Sequence, residues 1–246
     1  MRRAALGLYS YAEFFAQIAF FLPVMAASSL RHRGDPTQRM PGRWMRRFGR
    51  AVTRASPIWK FSIEGDVPSD IGSRGYVVVA NHESSADPFL LSFLPWDMRW
   101  VAKEELFRMP VIGWMMRCSG DIPLRRGDAA SVARMMEEAR SALAHGQSVM
   151  MFPEGTRSAS GELGAFKDGA FKLAVESGAP VLPVALAGTR ACRPKGSLWF
   201  GEAHAIARIL PPMKSEARGE DSVGALRDEA RRRIAEALSD VRGRTS

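Results

Sequence analysis

After Pro57 the chain alternates short apolar runs with amphipathic patterns, and this alternation limits the possible folds more than any other feature. Apolar runs at residues 75–80, 98–102, 148–152 and 181–186 have the length of buried strands. Helical patterns lie at residues 88–94, 131–144 and 169–177, and Gly146 and Gly178 close the last two. The sequence therefore predicts an α/β fold with a mixed, largely parallel sheet flanked by helices. A charged helix at residues 221–241 is interpreted as a packing element.

Residues 4–30 form a strongly apolar segment, long enough for the ~20 residues that a spanning helix needs. Ser10, Glu13 and Gln17 fall on one side at helical spacing, and Pro23 interrupts the run. These features favour a helix lying in the membrane interface over one that crosses the bilayer, which is the open alternative. A signal peptide is a third interpretation, and Glu13 within its apolar region counts against it.

The formal net charge of +9 lies entirely in the first 60 residues, which hold eleven basic and two acidic side chains. At residues 43–54 the sequence RWMRRFGRAVTR places Trp44, Phe48 and Val52 on one helical face and arginines on another. This pattern predicts a second helix attracted to anionic lipid. No nucleic-acid-binding module follows, so a membrane is the expected partner and nucleic acid is not. We divide the chain into a membrane-associating helical segment, residues 1–56, and a folded domain, residues 57–246.

The stretch ANHESSADPFL places His82 directly after a predicted strand and Asp87 five residues later. The second histidine of a zinc-binding H-E-x-x-H helix is absent, because Ala86 occupies that position, so a metal is not expected. Asp87 precedes Pro88 and is also suited to cap the next helix. Both interpretations are compatible, because an intervening turn would allow Asp87 to face His82.

A histidine oriented by a carboxylate acts as a general base. The chain has no G-x-S-x-G elbow, so the hydroxyl to be activated is expected to belong to a substrate. Cys118 and Cys192 show neither metal-ligand nor redox spacing, and we interpret them as unreactive, at least partly buried thiols.

Four blocks, taken in order, resemble the glycerolipid acyltransferase family, above all its 1-acyl-sn-glycerol-3-phosphate acyltransferases. NHESSAD resembles the family's N-H-x4-D block, and GDIPLRR its second block. FPEGTRS resembles the third block, and VLPVAL the proline-centred fourth. The segments AKEEL and FKDGAFKLA are also similar. The resemblance covers residues 75–188 and implies a glycerol-3-phosphate acyltransferase-like fold.

The resemblance implies that a fatty acyl group passes from acyl-CoA or acyl carrier protein to the sn-2 hydroxyl of lysophosphatidic acid, giving phosphatidic acid. His82 would be the base and Asp87 would orient it. No metal or bound cofactor is implied, and the thioester is a co-substrate. The implied acceptor-binding residues are Arg125 or Arg126, Glu154, Gly155, Thr156 and Arg157, and Lys103 is a further candidate for binding the phosphate or the developing oxyanion.

Arg125 stands where the family often has an acidic or small residue, so either Arg125 or Arg126 could be the phosphate ligand. Two alternatives stay open at this level. The acceptor could be another lysolipid, such as a lyso-ornithine lipid or a different lysophospholipid, or the protein could bind membranes without catalysis. For the enzyme, the expected location is the cytoplasmic face of the inner membrane.

Overall fold

The structure is a computed structural model that describes residues 2–158, 161–193, 199–215 and 222–245. Its strands are β1 (Trp59–Glu64), β2 (Val77–Ala80), β3 (Met98–Lys103), β4 (Ile122–Leu124), β5 (Ser148–Met151), β6 (Val181–Ala187) and β7 (Ala203–Ile209). Its α-helices are α1 (Arg2–Arg31), α2 (Arg39–Ala55), α3 (Asp87–Leu91), α4 (Glu104–Arg108), α5 (Ile112–Cys118), α6 (Ala129–Ala144), α7 (Gly169–Ser177) and α8 (Ser222–Arg242). A 3₁₀ helix spans Thr189–Cys192.

Within the described residues, the strands form one seven-stranded sheet in the order β1-β7-β6-β2-β5-β3-β4. The five strands from β6 to β4 are parallel to their neighbours, whereas β7 pairs antiparallel with β6. The predicted mixed, largely parallel sheet is confirmed. Because five strands run in one direction, their carboxyl ends lie at the same edge of the sheet, where sites of α/β proteins form.

Helices cover both faces of the sheet, which explains why its central strands are apolar throughout. All four residues of β2 are buried, and they alternate between two hydrophobic clusters. Val77 and Val79 pack with α6, α7 and α8, whereas Val78 and Ala80 pack with Leu90 of α3 on the opposite face. A third cluster joins α1 and α2 to this second layer.

The four predicted strands and the three predicted helices are present, with shifted ends. Helix α6 starts at Ala129, because the Asp128 side chain accepts a hydrogen bond from the Ser131 N–H and caps the helix. Helix α7 spans residues 169–177 as predicted, and Gly178 caps it in the left-handed conformation. Strands β1, β4 and β7 were not predicted. The predicted helix start at residue 221 lies outside the described residues.

Helix α1 turns its polar residues and the apolar Ile18, Phe21 and Met25 towards the protein, and it exposes a row of other apolar residues. Ser10, Glu13 and Gln17 lie on the half-buried side. The outer side carries Leu8 and Phe20, which are 71% and 59% exposed, together with further exposed apolar residues: Tyr9, Phe15 and Leu30. The helix is long and apolar enough, over residues 6–31, to cross a membrane. It packs against α2 and α5.

Helix α2 contacts the rest of the protein with its apolar face. Phe48 and Val52 are buried in the cluster that also contains Met25 of α1. Arg43 and Arg46 both pair with Asp97 before β3. Only part of the basic face is therefore left for anionic lipid, and residues 1–56 share a core with the domain that follows.

Candidate active site

The functional residues that the sequence singled out follow the strands that end at one edge of the sheet. Neighbouring strands lie about 4.8 Å apart, so the order of strands sets the order of side chains along this edge. From one side to the other the edge carries Arg125 and Arg126 after β4, Lys103 at the end of β3, residues 153–157 after β5, His82 after β2 and Thr189 after β6.

His82 and Asp87 meet across the turn that follows β2. The His82 Nδ1 atom lies 2.7 Å from Asp87 Oδ2, and the carboxylate is fully buried. A carboxylate in this position accepts a hydrogen bond from the Nδ1–H group, which leaves Nε2 as the free base. The His82 side chain is 20% exposed, so it is shielded but reachable. This geometry is suited to removing a proton from a bound hydroxyl.

The Asp87 carboxylate accepts hydrogen bonds from the turn that precedes it and from a distant residue after β6. Its Oδ2 also accepts the Glu83 and Ser84 backbone N–H groups at 2.9 and 3.1 Å, and its Oδ1 accepts the Thr189 hydroxyl. The expectation that Asp87 caps the next helix is wrong. Ala86 occupies the N-cap position and Asp87 is the first residue of α3, because its oxygens bind the preceding turn and Thr189 instead. That helix also stops at Leu91 rather than residue 94.

The backbone of His82 is held by the loop after β5. The His82 N–H donates to Glu154 Oε1 at 2.8 Å, and its carbonyl accepts the Ser158 N–H at 2.9 Å. The second Glu154 oxygen accepts the Gly164 N–H at 2.9 Å, and the Glu154 residue is only 8% exposed. Glu154 therefore joins the turn of His82 to the loop at residues 161–168, a segment that we call the support loop.

The His82 ring also has a fixed packing partner. It stacks on Phe152, with ring centroids 4.1 Å apart and planes inclined by 18°. Beneath it, the Asn81 side chain donates to the Leu186 carbonyl and accepts the Leu186 N–H, both at 2.8 Å. These contacts fasten the end of β2 to β6 and β5. The His82 ring is therefore restrained by Phe152 on its face and by Asp87 at Nδ1, and the His82 backbone is held by Glu154.

The Pro-Glu-Gly-Thr-Arg loop after β5 turns sharply next to a lysine. Gly155 has a φ of 73°, a conformation that favours glycine. A Cβ at this position would lie 3.1 Å from the Lys167 Nζ atom. Thr156 and Arg157 are exposed beyond the turn. The loop therefore leaves its outer side open, whereas Glu154 faces inward.

Three cations line the same edge, and we call Lys103, Arg126 and Arg157 the cationic rim. Among the described residues, neither Arg126 nor Arg157 has a side-chain hydrogen bond or ion pair, and both are exposed. Lys103 pairs with Glu105 at 3.1 Å, and both side chains are about half exposed. Such an ion pair is weak in water and is easily exchanged for a stronger anion.

Arg125 differs from its neighbour Arg126. Its guanidinium binds both Glu104 oxygens, with Nε 2.6 Å from Oε2 and Nη2 3.1 Å from Oε1. It also lies 3.6 Å from Asp128. The Arg125 guanidinium lowers the pKa of Glu104 below its ordinary value. Because a two-point contact already engages Arg125, Arg126 is the better candidate for binding a substrate anion.

Glu83, next to His82, is a buried acid that the sequence did not single out. Its side chain is 8% exposed and lies 3.8 Å from Arg242 of α8. Burial, and then the nearby Asp87 charge, raise the pKa of Glu83 to about 7, while Arg242 and Arg190 act in the opposite direction. The turn at His82 therefore holds two buried carboxyl groups. Asp87 accepts four hydrogen bonds, whereas Glu83 faces an arginine.

The four sequence blocks, now brought to one edge of one sheet, agree with the comparison to protein families. A family model described as "Acyltransferase" matches residues 60–187. The chain belongs to the acyltransferase family. The matched region contains β1 to β6, and with them His82, Asp87 and the whole cationic rim.

Curated relatives and a solved structure agree with this family. The chain is 36% identical over 219 residues to the chloroplastic 1-acyl-sn-glycerol-3-phosphate acyltransferase BAT2 of Brassica napus, covering 85% of this chain and 61% of that one. It is 37% identical over 163 residues to the human 1-acyl-sn-glycerol-3-phosphate acyltransferase alpha, covering 65% of this chain and 57% of that one. The chain thus spans little more than half the length of these relatives.

The crystal structure of the 1-acyl-sn-glycerophosphate acyltransferase PlsC from Thermotoga maritima superimposes with a TM-score of 0.78 at 28% sequence identity. The superposition covers 98% of this chain and 96% of that one. The whole architecture, including α1, α2 and α8, is therefore that of this acyltransferase fold.

Phe152, Thr189 and the bonding of Glu154 were not predicted from the sequence. Phe152 was assigned only to a strand end, and Thr189 lies 102 positions from the carboxylate to which it donates. Glu154 was assigned to the acceptor site from the family block, and its contacts link two loops. The long sequence separations explain the misses, because local patterns carry no information about such contacts.

Proposed function

We propose that the protein transfers a fatty acyl group from a thioester donor to the sn-2 hydroxyl of 1-acyl-sn-glycerol-3-phosphate, forming phosphatidic acid. The observation that carries this proposal is the buried His82–Asp87 pair, with Nδ1 and Oδ2 2.7 Å apart, at the edge that also carries the open cationic rim. A base and a set of accessible cations are what a reaction on a phosphate-bearing alcohol requires. The relatives' names support the same substrate.

In this mechanism, His82 Nε2 removes the proton of the acceptor hydroxyl while that oxygen attacks the thioester carbonyl carbon. Asp87 keeps Nδ1 protonated and stabilises the imidazolium that forms. The tetrahedral intermediate then expels the thiolate, the carbon–sulfur bond breaks, and His82 returns its proton to the sulfur. An ester and a free thiol are the products, so atoms and charge balance without a metal or redox step.

The cationic rim binds the acceptor phosphate in this proposal. Arg157 follows β5, the strand next to β2. Arg126 follows β4, which is three strands away from β2 and, at the usual strand spacing, about 14 Å from it. Arg157 therefore reaches the space in front of His82 from a nearby strand, and Arg126 reaches it from a more distant one. Lys103 lies between them and is a further ligand for the phosphate or for the developing oxyanion. Glu154, Gly155 and Thr156 shape the part of the site that binds the glycerol of the acceptor. Glu154 does so indirectly, because its side chain accepts a hydrogen bond from the His82 backbone N–H.

The outer side of α1 supports a membrane location, as expected for an enzyme whose acceptor and product are lipids. A row of exposed large apolar side chains along one helix is costly in water and favourable in the lipid interface. Because α1 packs along the protein through Met25 and Phe21, we favour a helix lying in one leaflet. The cytoplasmic face of the inner membrane is the proposed location, where anionic lipids would meet α2.

The substrate assignment is tested with purified protein, a radiolabelled acyl donor and a panel of acceptors. We expect phosphatidic acid from lysophosphatidic acid, and much slower labelling of lyso-ornithine lipid and of lysophospholipids with a phosphodiester head group. Labelling of another acceptor with none of lysophosphatidic acid would overturn the acceptor. No labelling of any acceptor by either acyl-CoA or acyl carrier protein would favour a membrane protein without catalysis. Running both donors in parallel identifies the thioester.

Membrane binding is tested by co-sedimentation with vesicles containing anionic lipid. The double substitution Phe15→Ser and Phe20→Ser changes only exposed positions of α1, so the shared core is preserved. We expect the variant to remain in the supernatant while wild type pellets. A matched control, Phe93→Ser, removes a half-buried phenylalanine elsewhere. Equal pelleting of wild type and the α1 variant would refute the role of this face.

A further inference from the structure

Helix α8 carries three arginines in a stripe that follows the support loop. Arg227, Arg231 and Arg242 lie within about 60° of one another around the helix axis, at 100° per residue. The buried side of α8, which packs on the sheet through Leu226, Ile234 and Leu238, among others, borders this stripe. Packing of the apolar side therefore explains the position of the helix, but it does not explain why arginines stand along the border of that side.

Each arginine of the stripe binds a different part of the support loop. Arg227 donates to Asp168 at 2.7 Å, and Arg242 donates to the Gly161 carbonyl. Between them, Arg231 uses both sides of its guanidinium: Nε donates to the Gly164 carbonyl and Nη2 to the Leu163 carbonyl, both at 2.9 Å. A planar fork that binds two successive carbonyls fixes the orientation of the peptide between them.

The peptide that Arg231 orients is bonded to the catalytic turn. The Gly164 N–H donates to Glu154 Oε2 at 2.9 Å, and Glu154 Oε1 accepts the His82 N–H at 2.8 Å. A Cβ at position 164 would lie 2.8 Å from Glu154 Oε2, so the loop and this carboxylate are in close contact. A continuous series of hydrogen bonds therefore runs from α8 through the support loop and Glu154 to His82.

We infer that Arg231 is a positioning residue of the acyltransferase, holding His82 at its reactive geometry through Gly164 and Glu154. Arg242 adds a second connection, because it contacts Gly161 of the support loop and lies 3.8 Å from Glu83 beside His82. The inference rests on the proposed role of His82 as the base. It gives α8, which lies outside the matched family region, a function beyond packing.

The same helix supplies a matched control. Arg232 is the next residue after Arg231, and among the described residues its guanidinium binds only Glu229 and Glu236 of its own helix, at 2.5 to 2.8 Å. Removal of Arg232 costs a charge and intrahelical ion pairs, but it changes no contact with the support loop. A difference between the Arg231 and Arg232 variants therefore reports on the support loop and not on the general stability of α8.

The test measures kcat, acceptor KM and thermal midpoint for Arg231→Met, Arg231→Lys and Arg232→Met. For Arg231→Met we expect kcat to fall about tenfold or more, since small misplacements of a catalytic group are costly, with acceptor KM changing less than about threefold. Arg231→Lys retains one donor and recovers part of kcat. Arg232→Met retains kcat. If Arg231→Met does not fold, the comparison of Arg231→Lys with wild type carries the same test.

A second arm places Arg231→Lys in a Glu154→Gln background. If Arg231 acts through Glu154, the two losses in kcat are not additive, because the first change already breaks the path. Additive losses, an effect on KM alone, or equal kcat for the Arg231 and wild-type proteins would overturn the inference. His82→Ala, assayed alongside, separates this failure from that of the proposed function: an active His82→Ala protein refutes the base itself.

Discussion

The His82–Asp87 pair and the cationic rim share one edge of the sheet, but their side chains are bonded in opposite ways. Asp87 is fully buried and accepts hydrogen bonds from four groups, and His82 is restrained by Phe152 and Glu154. Arg126 and Arg157 are exposed and have no side-chain partner among the described residues. A base must be oriented before the substrate arrives, whereas a phosphate ligand must keep its donors free.

The neighbouring arginines sharpen the comparison. Arg125 and Arg126 are adjacent in sequence, yet Arg125 binds Glu104 at two points and Arg126 binds no side chain in the described part of the protein. Sequence alone treated the two as interchangeable. The difference indicates that an ion pair within the protein removes Arg125 from the rim and leaves Arg126 in it.

The largest expected effect is on the oriented base. His82→Ala removes the proton acceptor, and we expect kcat to fall about 10²–10⁴-fold, the usual contribution of general base catalysis. Membrane binding is expected to persist, because α1 is unchanged. The control is His145→Ala, an exposed histidine at the end of α6. Wild-type turnover by the His82 variant would refute its catalytic role.

The next effect concerns the rim. Arg126→Gln removes a free guanidinium, and we expect the KM for lysophosphatidic acid to rise about 10–100-fold, in line with a charge-assisted hydrogen bond. Arg125→Gln is the matched control, and its KM should change less than about threefold. A larger KM effect for Arg125 than for Arg126 would reverse the assignment. Steady-state kinetics at saturating donor measure both.

A smaller effect is expected from the hydroxyl of Thr189, which donates a hydrogen bond to the buried Asp87 carboxylate. Thr189→Val keeps the side-chain shape but removes the hydroxyl that donates to Asp87 Oδ1. Because a buried acceptor then lacks one partner, unfolding free energy should fall by about 1–3 kcal/mol and kcat should fall several-fold. Thr189→Ser, which retains the hydroxyl, should restore kcat. If both variants lose kcat equally, the methyl group rather than the hydroxyl matters.

The smallest expected effect is a pH dependence of stability at Glu83. Burial raises its pKa from 4.5 to about 7, so the folded protein binds this proton more tightly than the unfolded chain does. The resulting stability is fully present below pH 4.5 and is lost as the pH rises through 7. Glu83→Gln removes this loss. Relative to wild type, the unfolding free energy of this variant should therefore be about 1–3 kcal/mol higher at pH 8 than at pH 5. Thermal midpoints at the two pH values, each compared with that of wild type, measure this difference.

The control for this measurement is Glu137→Gln, which removes an exposed carboxylate of α6. Its thermal midpoint relative to wild type should be similar at the two pH values. If the Glu83 and Glu137 variants respond to pH in the same way, the effect belongs to net charge and not to the buried site.

The sequence predicted the central strands and the His82–Asp87 contact, because both depend on local signals. Apolar runs such as VVVA mark strands buried on both faces, and the turn between His82 and Asp87 is short enough to bring them together. Strands β1 and β7 escaped prediction because WKFSIE and AHAIARI mix polar and apolar residues. They pair with each other across more than 140 positions.

The sequence pattern was insufficient where the role of a residue depends on a distant partner. The sequence predicted that α2 is attracted to anionic lipid and gave no partner for its apolar face, which packs on α1 and the domain through Phe48 and Val52. Asp87 was given a helix-capping option, but Thr189 and the preceding turn take its oxygens. The choice between Arg125 and Arg126 required Glu104, which lies 21 positions upstream of Arg125.

The central claim is that His82 provides the base and that the cationic rim binds the phosphate. It is tested most directly by the ratio of two acylation rates. The measurement compares the rates of acylation of lysophosphatidic acid and of monoacylglycerol, the same alcohol without its phosphate, at low acceptor concentration. In wild type we expect a large preference for lysophosphatidic acid. The double variant Arg126→Gln and Arg157→Gln should reduce this preference towards one, whereas His82→Ala should lower both rates and keep their ratio. A preserved preference in the arginine variant, or a preference lost with His82 alone, would contradict the account.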